Sequence, residues 1–292
     1  MIEEILHEKK KQIEQRLEKL LKTEQGAHRT LYNAMNYSLL AGGKRIRPSL
    51  FLLVLDVFGK NSSDYLDAAC AIECVHTYSL IHDDLPQMDN DDYRRGRLTN
   101  HRVYGAGMAT MAGDGLLTYA FALLAGMKTI RPEQKCRLIQ ILAEASGPDG
   151  MVGGQAQDIE AENRALSLEE LRLLDQCKTG CLLCAPIDMA AVLAEADPAE
   201  GAVLHRYGLH LGQLFQITDD LLDVSGTLET MGKKPGQDAV MHKSTYISLL
   251  GKDKARNMAE KEAEQAVQIV KNLNRDTKPL QELLYLLLNR TK

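Results

Sequence analysis

Tryptophan is absent from the sequence, and aromatic residues make up only 5% of its 292 positions. Val and Ile together number 25, against 45 Leu and 29 Ala, so the residues that favour strands are heavily outnumbered by helix formers. A mostly β protein is excluded. Proline is scarce, at 8, and with 45% hydrophobic residues the chain is neither disordered, collagenous nor of low complexity. Basic residues are not in excess: 35 Lys and Arg face 40 Asp and Glu, a net charge of −5. The summed field therefore offers no footprint for nucleic acid or an anionic membrane, and any polyanionic ligand must be met by local basic clusters. Long apolar runs are missing too, because the most apolar stretch, Gly115 to Met127, meets Asp114 when extended, so no stable membrane insertion is expected. The first residues, Met-Ile-Glu-Glu-Ile-Leu-His-Glu-Lys-Lys, are acidic and amphipathic, unlike a signal or transit peptide. Cytoplasmic localisation follows as an expectation, and the six Cys read as reduced thiols.

What is there is helical spacing almost everywhere. Ile5, Ile13, Leu17, Leu20 and Leu21 form one stripe; Leu168, Leu171 and Leu174 belong to another. Ser167 with Glu170 has capping-box spacing, and Asp197-Pro198 with Glu200 places a cap before a proline at the first helical position. Turn signals at 41–48, 84–99, 131–132, 146–150, 162–167, 196–197, 225–243 and 276–279 leave about ten helices and no fixed repeat. With no linker or shift of composition, residues 1–292 read as a single all-α domain.

Acidic residues gather twice. Five aspartates fall within ten positions at Asp83, Asp84, Asp89, Asp91 and Asp92, where a Leu/Ile/Cys-rich helix ends. Pro86 disfavours helix at Leu85, so Asp83 and Asp84 sit at a helix C-terminus, whose dipole already opposes negative charge. Divalent cations would relieve that cost, and oxygen-only ligands suit Mg²⁺. A lone acidic cluster is more often a solvated loop. The second, Asp219-Asp220-Leu-Leu-Asp223, lies inside an apolar helix from Pro198 to about Val224, with Asp219 and Asp223 on one face. Like charges one turn apart near a core call for cations. Two such clusters facing each other across a bundle could hold several metals around one phosphorylated group.

Basic clusters complete the pattern. Gly42-Gly43-Lys44-Arg45-Ile46-Arg47-Pro48 sets three cations in a flexible turn; Arg94-Arg95-Gly96-Arg97 follows the first acidic cluster; Lys178-Thr179-Gly180, Lys233-Lys234 and His242-Lys243 lie downstream. Arg meets phosphate oxygens bidentately and Lys supplies a mobile point charge. Each run alone reads as solvated surface; with two acidic clusters, the set points to diphosphate binding.

These segments, in this order and over essentially the whole chain, resemble the short-chain trans-isoprenyl diphosphate synthases, particularly the bacterial farnesyl diphosphate synthases: Gly-Gly-Lys-Arg-Ile-Arg-Pro at 42–48, Asp-Asp-Leu-Pro-Gln-Met-Asp with Arg-Arg-Gly at 83–96, Lys-Thr-Gly at 178–180 and Phe-Gln-Ile-Thr-Asp-Asp-Leu-Leu-Asp at 215–223. The resemblance implies a helical bundle around a deep apolar cavity, a homodimer, and about three Mg²⁺ per active site, with Mn²⁺ an alternative. By position it implies that Asp83, Asp89 and Asp219 ligate metal, while Asp84, Asp220 and Asp223 shape the ligand shell. Lys44, Arg47, His76 and Arg95 would hold isopentenyl diphosphate. Arg94, Lys178, Thr179, Gln216, Lys233 and Lys243 would hold the allylic diphosphate. Asp83, Asp84, Asp89, Arg94, Lys178 and Asp219 form the expected catalytic set.

The implied reaction is ionisation of the allylic carbon–oxygen bond, condensation and elimination, with metals and cations stabilising the leaving diphosphate. Tyr78, five residues before Asp83 and so roughly 7.5 Å along the helix, would floor the cavity and stop the product at fifteen carbons. Small Ser79 beside it leaves a twenty-carbon product open. Many relatives read Gly-Lys-Asp and Gly-Lys-Thr-Tyr-Pro where this chain has Gly236-Gln237-Asp238 and His242-Lys243-Ser244-Thr245-Tyr246-Ile247, so the segment carrying Lys243 departs from the family pattern with His242 in place of a Gly and Ile247 in place of a Pro. Cys177, Cys181 and Cys184 match the spacing of a radical iron–sulfur triplet, but in an apolar helix they read as small core residues, as do Cys70 and Cys74. A terpene cyclase would lack the second diphosphate pocket, and a silent partner subunit would lack part of an aspartate motif.

Overall fold

The computed structural model describes residues 1–21, 27–162, 164–225 and 244–290; Lys233 and Lys243 lie outside them. In chain order its α-helices are α1 (Ile2–Leu20), α2 (Arg29–Leu39), α3 (Ile46–Val57), α4 (Leu66–Asp83), α5 (Asn100–Tyr104), α6 (Ala106–Gly126) and α7 (Pro132–Ser146). Then follow α8 (Met151–Glu160), α9 (Leu168–Asp175), α10 (Cys181–Ala194), α11 (Pro198–Ser225), α12 (Tyr246–Leu250), α13 (Lys252–Val270) and α14 (Lys278–Leu288). The count exceeds the expected ten partly because α5 and α12 are single short turns whose periodicity is too brief to read. Among the described residues the only strands are β1 (Tyr93–Arg94) and β2 (Arg97–Leu98), an antiparallel pair. The caps form as the sequence indicates. Ser167 and Glu170 bond reciprocally at the start of α9, as do Asp197 and Glu200 at the start of α11.

The chain falls into two compact units. The first comprises Met1, Glu3–Leu52 and Asn61–Ile139; the second comprises Ile2, Leu53–Lys60 and Gln140–Lys292. In the first, α4 is buried on nearly every side from Ala68 to Val75, as an interior helix must be, and packs along α6. Close approach depends on Gly113 of α6, where a Cβ would lie 2.1 Å from His82 Nε2. Glu73, buried within α4, is neutralised by an ion pair with Arg45.

The second unit is organised on α11, whose 28 residues extend about 42 Å. Leu204, Tyr207, Leu211, Leu214 and Ile217 of this helix are fully buried, and it packs on α10 and α13. Between α9 and α10 the chain makes a π-helical turn, Gln176–Gly180, of the kind often found at functional sites. The turn is pressed against α8, where a Cβ on Gly154 would stand 2.2 Å from the Lys178 backbone nitrogen.

By length and composition two helical runs could cross a bilayer, Ala106–Gly126 and Leu168–Ala194, the second mostly buried. The first is longer than the apolar stretch read from sequence, because Asp114 lies exposed within α6 without ending it. The six cysteines are free thiols; Cys70, Cys74 and Cys184 are buried, Cys177 and Cys181 half-buried, and Cys136 exposed.

Candidate active site

In the first unit, α4 ends at Asp83 with Asp84 as its cap, and Asp89 N–H returns to the Asp83 carbonyl at 2.9 Å. This turn draws Asp83 and Asp89, both half-buried, into one short loop. Asp84 points inward, 3% exposed, and accepts from Arg94 Nε at 2.7 Å. Burial pushes its carboxyl up to about 6 even against the Arg94 charge. Arg94 also reaches Asp91 at 3.3 Å, so two carboxylates hold it in this structure.

A cationic basin adjoins this loop. Arg95 and Gly96 form the two-residue turn between β1 and β2, both with positive φ (53° and 73°). An arginine in that conformation is strained, a cost that recurs at functional positions. Its guanidinium donates to the Gly42 carbonyl at 2.5 Å, lies 3.6 Å from Glu73 and would collide with a Cβ on Gly43, 2.7 Å from Cζ. Gly43 therefore makes room for an arginine, while Gly42 is required by its positive φ of 81°. Arg47 stands 3.4 Å from His76, whose imidazole burial and then Arg47 and Arg95 hold well below its usual pKa. The positive charge of this patch therefore comes from the arginines and not from the imidazole they surround. Lys44 is exposed beside it. Tyr78 is 5% exposed with its hydroxyl unpartnered, and packs edge-on to His82 at 5.7 Å; Ser79 is tied to the His76 carbonyl.

In the second unit, a cleft is lined by Asp158 of α8, Lys178 and Thr179 of the π turn, and Gln216 and Asp220 of α11. Lys178 donates to Asp158 at 2.6 Å. Asp219 is 46% exposed and takes a 2.5 Å bond from Arg290, whose guanidinium also lies over the Phe215 ring. Asp220 and Asp223 turn inward, 6% exposed each; Asp220 accepts the Tyr246 N–H at 2.8 Å, anchoring the start of α12.

Among the described residues no three His, Cys, Asp or Glu side chains converge as a ready metal cage. The donors nonetheless fit a hard, hydrated cation that takes one or two carboxylates and completes its shell from water and phosphate. They are oxygen-only, and Asp223 Oδ1, buried one helical turn after Asp219, has no hydrogen-bond partner. Asp83 and Asp89 in the first unit and Asp219 in the second are the carboxylates that stay partly exposed.

Glu73, Asp175, Tyr246 and Arg290 were not singled out from sequence. Glu73 has a signal, an acid in the apolar middle of a helix. The other three have partners far along the chain, which spacing does not reveal.

The polyprenyl synthetase family model matches residues 28–286. The farnesyl diphosphate synthase of Geobacillus stearothermophilus is 48% identical over 251 residues, 85% of this chain and 84% of that protein. A solved structure of an FPP/GFPP synthase from Zymomonas mobilis superposes with a TM-score of 0.89 at 35% identity, covering 98% of both chains. A geranyltransferase from Helicobacter pylori, solved in complex with magnesium and isoprenyl diphosphate, gives 0.86 at 36% identity, covering 97% of this chain and 95% of that one.

Proposed function

From the premise that this chain belongs to the polyprenyl synthetase family, we propose how its residues carry out prenyl transfer and which product they make. The enzyme joins isopentenyl diphosphate head to tail to an allylic diphosphate, dimethylallyl or geranyl, and we assign farnesyl diphosphate as the product. The carrying observation is the pairing of one basic diphosphate basin with each aspartate segment: Arg47, His76 and Arg95 with the first, Lys178 with the second. One diphosphate needs one basin; a two-substrate condensation needs two.

Lys178, Thr179 and Gln216 bind the allylic diphosphate, together with Arg94 once the ligand competes with Asp84, and with Lys233 and Lys243. Asp83, Asp89 and Asp219 would hold magnesium, which when bound would supply Lewis-acid stabilisation of the diphosphate leaving group. Lys44, Arg47, His76 and Arg95 bind isopentenyl diphosphate and orient its double bond toward the allylic carbon, which converts a bimolecular step into a positioned one. Apolar walls exclude water from the allylic cation. Tyr78 closes the chain-length floor, with Ser79 beside it. We further propose that the two units form one polyprenyl synthase domain, as a family match running through both implies, and that the protein is a cytoplasmic homodimer. Helix α6 supports the dimer, since it is apolar yet only a third buried.

Incubating purified protein with isopentenyl diphosphate, Mg²⁺ and each allylic primer tests the reading. A fifteen-carbon product is expected, and Tyr78→Ala lengthens it. A twenty-carbon product from the wild type would assign a geranylgeranyl synthase, and a cyclised hydrocarbon a terpene cyclase.

A further inference from the structure

Asp175 ends α9 just before the π turn, and no step of the proposed reaction uses it. Its carboxyl is 7% exposed, and Oδ2 has no hydrogen-bond partner. It forms part of the wall of the Lys178 cleft on one side and, on the other, of a second cavity that holds the His210–Glu262 pair, joined at 2.7 Å. Its hydrogen bond is to the buried Tyr246 hydroxyl, which in turn accepts from Gln213 at 2.6 Å. An ionised carboxylate with one oxygen unsatisfied at this depth is costly, so the site favours the neutral acid.

The charges around it point the same way. Lys178 of the π turn draws Asp175 toward ionisation; Asp158 of α8 and Asp219 of α11 oppose it through charge alone. Asp220 shares the cleft wall, and Arg172, one turn back on α9, shares the second cavity. Lys178 already serves one carboxylate, Asp158. If Asp175 also ionised, two protein anions would compete with an incoming diphosphate for the same ammonium group, inside a pocket that must accept several negative charges.

We propose that Asp175 is a positioning residue which must be a neutral carboxylic acid for Lys178 to hold the allylic diphosphate, its ionisation drawing Lys178 away from the ligand. The inference rests on the reading of this cleft as the diphosphate site. Burial, the largest influence, pushes the carboxyl up to about 7, so the neutral form is the minor one above neutrality. If only that form binds well, apparent affinity falls about tenfold between pH 6 and pH 8, in proportion to the competent fraction.

The test is calorimetric binding of inorganic diphosphate with Mg²⁺ to the wild type and to Asp175→Asn across pH 6 to 8. Taking the ratio of the two dissociation constants cancels the titration of the ligand itself. The ratio, wild type over variant, is expected to rise about tenfold over this range; a ratio constant with pH overturns the proposal, since a merely structural role would shift affinity equally at every pH. Tyr246→Phe gives an independent reading should Asp175→Asn fail to fold. Loss of the hydroxyl that stabilises the ionised carboxylate moves the break in wild-type affinity to higher pH, and an unmoved break counts against Asp175. Thermal melts add a second readout. A raised folded-state pKa means that the native state holds the proton longer, so its penalty is absent below about pH 4 and complete above about 7. The gain in Tm from Asp175→Asn should therefore grow as pH rises. Turnover measured on the same wild-type sample separates the two readings: no turnover with a titrating ratio removes the prenyl-transfer reading alone, and turnover with a flat ratio removes Asp175 alone.

Discussion

In the first aspartate segment a helix stops and the chain turns; in the second the helix runs on. Yet each segment divides its adjacent aspartates in the same way. Asp84 and Asp220 face inward and hold structure together, one by the Arg94 guanidinium and the other by the Tyr246 backbone N–H. Asp83 and Asp219 remain accessible to a ligand. An Asp-Asp pair is thus two residues with different duties, set by which side of the helix each occupies. The settings differ in how charge is balanced. In the loop, Arg94 comes from ten residues away and pairs a buried carboxylate. On α11, Arg290 reaches Asp219 from the far end of the chain.

The comparison breaks most sharply at the outward members. Asp83→Ala and Asp219→Ala should each lower turnover by about 10²–10³-fold, the scale of losing one preorganised charge stabiliser; thermal melts of Asp83→Ala should stay near wild type, whereas Asp219→Ala should also melt earlier because it leaves the largely buried Arg290 without its carboxylate. If either variant turned over normally, the assignment of that aspartate would fail. Next come the inward members, where stability and not chemistry should suffer first. Asp84→Ala leaves a largely buried Arg94 short of its main counter-charge and should cost about 3 kcal/mol in denaturant unfolding. Asp220→Ala leaves one buried N–H without its acceptor and should cost less, about 1–3 kcal/mol. No loss of stability from either variant would show that the inward residues are not structural.

Much of this was legible in the sequence because it is local. Helical stripes, the Ser167 and Asp197 caps and the helix end at Asp83 all depend on residues within a turn or two of each other. The Arg94-Arg95-Gly96-Arg97 run was read as charge and not as a hairpin, since two-residue strands have no period to detect and Arg95 adopts a backbone conformation that favours glycine. Asp175 and Tyr246 escaped for a different reason. Their environment is made by α8, α9, α11 and α12 together, and no single segment carries the pattern. Lys233 and Lys243 lie outside the described residues, so their roles rest on the motif alone.

The central claim is that Asp83, Asp89 and Asp219 serve one diphosphate through shared metal ions. Co-crystallisation with Mn²⁺ and a non-hydrolysable bisphosphonate, located by anomalous scattering, tests it most directly. The account predicts metal peaks bound by Asp83 and Asp89 and a further peak bound by Asp219, all coordinated to the same bisphosphonate molecule. Metal at only one aspartate segment, or two segments loading separate ligands, would contradict it.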